Sequence, residues 1–246
     1  STPIAPASGH CSTPVRWWSA IMFDRGAALA LLQLGDSAFP AGGFAFSWGI
    51  EGLATDGLLS DRGDLDGVIA DHLAQRWASM DRILLRRAWH ANDIAAIAAV
   101  DRLAEATTPS AEMRDGSRRA GRALLGVWVK LSGPLAVSYR ARVSADANLG
   151  HLAVVQAITG RDAGLGLEAA ELVSGWTLIT GLVSAAVRLG LIGHIESQRS
   201  LATARARLTE LLAETPDDDA MPSSFTPFID IAVSRGPLRH VRMFTT

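Results

Sequence analysis

Apolar positions recur three and four residues apart along most of this chain, the repeat of a helix that buries one face. "RGAALALLQLGD" (Arg25–Asp36) reads as a short helix ending near Gly35. Asp61 or Asp64 caps a run to about Ser79, in which Leu65, Val68, Ile69, Leu73 and Trp77 share one stripe. Ile83, Leu84, Ala88 and Ala91 continue it. Asn92 or Asp93 opens "IAAIAAVDRLAEA", which stops before Thr107, Thr108 and Pro109. Ser110, with Glu112 nearby, caps a helix through Leu124, Leu125, Trp128 and Leu131 to Gly133 and Pro134. "GHLAVVQAITGRDAG" is a further helix, and Leu165 to Leu191 a long one that its glycines should break or bend. Gln198 to Ala213 is amphipathic with arginines outward. Asp217 to Pro227 is an acidic linker rich in Pro and Ser, followed by the hydrophobic Phe228–Val233 and a basic tail.

No stretch alternates at period two and no segment repeats. The pattern predicts an all-α protein, one compact bundle of roughly nine to eleven helices with a flexible N-terminal leader and C-terminal tail. Its divisions are a disordered leader over 1–23, a helical domain over 24–213, and a linker and tail over 214–246. The helices are rich in Ala, Gly and Ser, which lets backbones approach closely and favours a compact orthogonal bundle over a long coiled coil.

Composition then removes several functions. The net charge of −2 offers no global field for nucleic acid or an acidic membrane. Cys11 is the only cysteine, so no intramolecular disulfide or multi-cysteine zinc module can form, as suits a reducing, cytoplasmic setting. The first twelve residues, rich in Pro, Ser and Ala, carry no signal-peptide pattern. Leu172 to Val187 is uncharged over 16 residues, short of the ~20 that span a bilayer, and reads as a buried core helix.

Candidate chemistry is sparse. His10, His72, His90, His151, His194 and His240 are scattered, which argues against a metal site; His151, at a helix start, suits a structural hydrogen bond. No Gly-x-Ser-x-Gly elbow is present. Arg114, Arg118 and Arg122 share a helical stripe that could grip phosphate or a carboxylate-rich partner, although a solvated face with pairs such as Asp115 and Arg119 explains it as well. No catalytic residue, metal or cofactor is expected.

The informative stretch is "FPAGGFAFSWGIEGL" (Phe39–Leu53). It lacks the Gly-Lys-Ser/Thr of a P-loop and the preceding strand of a dinucleotide fold. Pro40 with Gly42 or Gly43 can shape a turn into a helix. Phe44, Phe46 and Trp48 stand at alternate positions, however, and on a helix these do not share a face. At least one should point away from the core, toward a partner that covers it.

That stretch also carries a resemblance. Leu31-Leu32-Gln33, Phe39-Pro40, Gly42-Gly43, Phe44 and Ser47-x-Gly49-Ile50-Glu51 are similar to the N-terminal signature of the UreF family of urease accessory proteins. "SRRAGRALL", "GHLAVVQAITG", "WTLITGLVSAAVRLGLIGHIESQR" and "TPFIDIA…RMFTT" resemble its later motifs, in order, over roughly residues 24–246. Phe46 stands where the family usually has His or Tyr, and Arg235-Gly236-Pro237 and His240 replace its usual Arg-His-Glu and aromatic.

The resemblance implies an all-α homodimer without chemistry of its own. It implies an adaptor that bridges a UreD/UreH-type protein and the nickel-carrying GTPase UreG, docks on apo-urease, and supports nickel delivery. By the same resemblance Phe44 and Arg242 would contact partners together with Phe244, and Gly42, Gly43, Ser47 and Glu51 would shape the segment. Two alternatives remain: a GTPase-activating protein whose arginine finger is Arg242 or the Arg114/Arg118/Arg122 stripe, and a direct nickel carrier. The tail from Phe228 to Thr246 is expected to be mobile in the free chain, or ordered only by packing against a neighbour.

Overall fold

The computed structural model describes residues 24–40, 46–217, 219–236 and 243–244. Among them every regular element is a helix, as the periodicity predicts. The first is α1 (Arg25–Gly35), capped by Asp24, whose carboxylate accepts from the Gly26 and Ala27 amides. A short α2 (Ile50–Thr55) follows. Asp61 caps α3 (Arg62–His72), which runs through a π-helical stretch, Leu73–Asp81, into α4 (Arg82–His90). Asp93 caps α5 (Ile94–Thr107) and Ser110 caps α6 (Ala111–Lys130). Next come α7 (Pro134–Ala145), with proline at its start, and α8 (Leu152–Asp162). The long α9 (Leu167–Arg188), α10 (His194–Ala213) and α11 (Pro227–Ser234) complete the order.

Two large core clusters share α8 and α9. One gathers Leu125, Tyr139, Val155 and Ile158 from α6, α7 and α8 with Leu85 and Ile97. The other gathers Trp77, Ile179, Leu182 and Leu208 with Phe46, Trp48 and Ile50 from the aromatic motif. The glycines do not break α9. Instead a Cβ at Gly175 would stand 2.5 Å from Leu208 Cδ1 and 3.1 Å from Trp77 Cζ2, so the missing side chain makes room for α10 and the π stretch. α9 is long and apolar enough to cross a membrane, and 56% of that apolar window is buried within this bundle.

The tail, expected to be mobile from Phe228 on, is instead a packed helix over its first part, α11. Ile229, Ala232 and Val233 lie in the same cluster as Trp77. The linker ahead of it is tied to the π stretch: the Ser223 and Phe225 amides donate to the Ser79 and Gln75 carbonyls at 2.9 and 3.0 Å. Arg87 holds the Ala220 carbonyl at 2.9 Å. These anchors, from distant parts of the chain, carry α11 to α2 and α6. The order of this segment thus draws on the rest of the fold more than on its own apolar residues.

Candidate partner-binding site

Gly42, Gly43, Phe44 and Arg242, four of the residues picked out in the sequence, lie outside the described residues. The remainder of the aromatic motif turns inward. Phe46 is 3% and Trp48 8% exposed, their ring centroids 5.6 Å apart. Residues two apart can both face the core because Phe46–Gly49 is a turn, not a helix. Trp48 has φ 50° and Gly49 has φ 94°, with α2 starting only at Ile50. Of the three aromatics expected to include an outward-facing one, the two described residues both face inward, and Phe44 lies outside the described residues.

Ser47 is fully buried, and its carbonyl accepts from the Ile50 amide at 3.1 Å. His72 Nε2 lies 2.9 Å from the Trp48 carbonyl. A carbonyl only accepts, so Nε2 carries the proton and donates. Burial, then the nearby Arg76 guanidinium, pushes the His72 imidazole down to about 4, and the ring stays neutral.

Glu51, the one acid of the motif, is also buried. Its Oε1 accepts from the Met243 amide at 2.5 Å and its Oε2 from the Phe244 amide at 3.3 Å. The Phe244 ring is 5% exposed, and the Arg188 guanidinium from the last turn of α9 stands 4.2 Å from its centroid. Burial holds the Arg188 guanidinium below its ordinary range. α11 closes on the same place: the Gly49 backbone approaches Ile229 so closely that a Cβ would lie 2.8 Å from Ile229 Cγ2. Arg235 pairs with Asp56 beyond the end of α2 at 3.3 Å. Motif and tail, nearly two hundred residues apart, are one structure.

The outer side of this structure is apolar. Phe228 and Ile231, one helical turn apart on α11, are 70% and 48% exposed, while Phe225 and Met243 are 73% and 62% exposed. Single exposed apolar residues are ordinary; Phe228 and Ile231 together give α11 an apolar outer face. The sequence reading missed Phe228 and Ile231, although "PFIDIA" alternates inward and outward residues at helical spacing. It also missed His72 and Arg188, which no local pattern ties to the motif.

The arginine stripe is engaged inside the chain. Arg114 pairs with Glu105 at 3.3 Å and donates to the Thr108 carbonyl at 2.7 Å. Arg118 bonds Glu105 and Asp115, so Asp115 pairs with Arg118 and not with Arg119. Arg122 donates to the Leu149 carbonyl at 3.0 Å and to that of Ala147. Glu105 also meets His151 Nε2 at 2.9 Å, the structural hydrogen bond expected of a helix-start histidine. Behind it Asp101, fully buried, accepts from the Tyr139 hydroxyl and the Gly150 amide at 2.5 Å each and from the His151 amide at 3.0 Å. Burial raises the Asp101 carboxyl and lowers the His151 imidazole.

Among the described residues no three His, Cys, Asp or Glu side chains are grouped to hold a metal. A cavity of about 270 Å³ opens beside Phe39 and Pro40, between the end of α1, α8 and α9, with mostly apolar walls that include Trp48, Trp77 and Val173. Gln156 and Ser174 at its wall bond each other at 2.8 Å.

The chain's relatives are consistent. Residues 59–205 match the UreF family model. The chain is 31% identical over 234 residues to the urease accessory protein UreF of Trichodesmium erythraeum, covering 88% of this chain and 95% of that one. It is 33% identical over 230 residues to the UreF of Cereibacter sphaeroides, covering 89% and 99%. It is 27% identical over 223 residues to the UreF of Bacillus sp. strain TB-90, covering 88% and 97%. The helical fold, the ordered motifs and these matches agree: the chain belongs to the UreF family of urease accessory proteins, and with that membership comes a role in urease maturation.

Proposed function

We propose that this chain is a non-catalytic adaptor of urease maturation. It bridges a UreD/UreH-type accessory protein and the UreG GTPase, and the assembly supports nickel delivery into apo-urease. In this reading the chain is a cytoplasmic homodimer, needs no cofactor, and meets neither nucleic acid nor membrane. Phe44 and Arg242 reach the partners, Gly42, Gly43, Ser47 and Glu51 hold their surroundings in shape, and Phe244, expected from the sequence as a partner contact, is buried and anchors the tail instead.

The observation that carries the reading is the joining of motif and tail at Glu51 on α2, against which α11, with Phe228 and Ile231 exposed, also packs. Hot spots are enriched in aromatic residues and arginine and sit in well-packed, desolvated surroundings. α11, pinned by Gly49 and by its linker, provides such surroundings. Arg114, Arg118 and Arg122 are bonded within their own chain, which disfavours them as an arginine finger for UreG and leaves Arg242 as the arginine for that alternative.

Co-expression with the UreD/UreH-type protein and UreG of the same organism tests the proposal. The expected result is a stable ternary assembly, with UreG turnover unchanged by this chain alone. Failure to co-purify with either protein refutes the adaptor. A marked acceleration of GTP hydrolysis replaces it with the GTPase-activating reading. Tight, stoichiometric Ni²⁺ uptake in equilibrium dialysis replaces it with the carrier.

A further inference from the structure

We propose that Glu51 is a positioning residue: its carboxylate latches the C-terminal tail onto the start of α2, and the latch presents the tail to the accessory partner. The inference rests on the adaptor reading above.

Two consecutive amides converge on one carboxylate, Met243 on Oε1 and Phe244 on Oε2. An ionised acceptor binds N–H groups more strongly than a neutral one. Consecutive residues then face opposite ways. The Phe244 ring is driven into the core beneath Arg188, while the Met243 side chain stays outside, 62% exposed. A slip of one residue would reverse the two, so the fork at Glu51 decides which side chain is offered outward. The acid and the arginine come from separate helices, α2 and α9, and grip the backbone and the ring of the same residue. An acid in the first turn of a helix can be explained by the helix dipole alone. Here α2 has only six residues, and both Glu51 oxygens are taken up by the tail instead.

Glu51→Gln keeps the volume but replaces one acceptor oxygen with a donor. In the full chain it is expected to raise hydrogen exchange of the C-terminal peptide spanning Met243 and Phe244 toward the rate of an unstructured peptide. It should weaken capture of the UreD/UreH-type protein roughly tenfold, the effect of losing a charge-assisted bond. Phe244→Leu, which leaves α2 untouched, should release the same two amides. In a chain ending at residue 236 the donors are gone, and Glu51→Gln should leave the thermal midpoint unchanged or raise it, whereas in the full chain it should lower it. Equal losses in both backgrounds would make Glu51 a packing residue of α2 and overturn the latch. Unchanged exchange in Glu51→Gln would overturn it as well. Free amides with undiminished capture would overturn the presenting role. If the parent chain captures no partner, the adaptor reading fails, while the exchange and midpoint measurements still decide the latch.

Discussion

Gly49 and Ile229 touch where no side chain could stand between them: a Cβ on Gly49 would lie 2.8 Å from Ile229 Cγ2, and the residue has φ 94°. Through this contact the end of the aromatic motif seats α11. Gly49→Ala is expected to lose about 2–4 kcal/mol, combining left-handed strain with overpacking. Gly57 has φ 72° and open space around it, so Gly57→Ala should lose only about 1–2 kcal/mol from strain. Chemical denaturation separates them, and equal losses would show that the approach of α11 is loose.

His72 gives the fold an acid sensitivity of defined sign. Folding holds its imidazole at about 4, by burial and then by Arg76, against the usual value near 6.5. The folded chain therefore binds fewer protons than the unfolded one between these values. The contribution, about 3 kcal/mol, is fully present above pH 6.5 and is lost as pH falls toward 4. His151 shifts in the same direction, while Asp81, Asp101 and Asp230 are raised by burial and favour the folded state at low pH. His72→Gln retains a donor for the Trp48 carbonyl, so the stability gap between parent and variant should narrow from pH 7 to pH 4.5. A constant gap across that range would rule out His72 as the source.

Arg82 and Glu171 form a buried pair, their side chains 4% and 2% exposed. Arg82 also holds the Leu211 and Glu214 carbonyls at the end of α10, at 2.7 and 2.8 Å. Arg86 meets the same carboxylate at 2.8 Å. Glu171→Ala strands a buried guanidinium and should lose about 3–5 kcal/mol, whereas Arg82→Met with Glu171→Leu should recover much of it. A Glu171→Ala chain as stable as the parent would mean that water reaches Arg82.

Phe44 and the tail separate binding from folding. Phe44→Ala is expected to leave the thermal midpoint nearly unchanged and to weaken partner capture by about 2–4 kcal/mol. A large fall in midpoint with intact capture would make it a core residue. Deleting residues 237–246 removes the buried Phe244 ring. Helix content should persist, stability should fall by about 1.5–3 kcal/mol, and urease activation should be lost. Normal activation by the truncated chain would remove the tail from the mechanism.

Helix identity and many boundaries are local matters, and the sequence determined them. Asp24, Asp61, Asp93 and Ser110 cap the helices that follow because a side-chain oxygen reaches an amide two or three residues on. The three-and-four stripes set which faces are buried, and the ordered motifs announced the family. Tertiary structure decided the rest. The direction of Phe46 and Trp48 depends on two positive-φ residues in a turn, which overrides any helical wheel. Gly175 looked like a break in α9 but is room for Leu208, a residue thirty-three positions away. The solitary Glu51 was visible as an anomaly among apolar neighbours. Its partners were not, because the Met243 and Phe244 amides lie close to two hundred residues further along the chain. Backbone N–H groups carry no sequence signature, so only the packing of α2, α9 and α11 could bring donor and acceptor together.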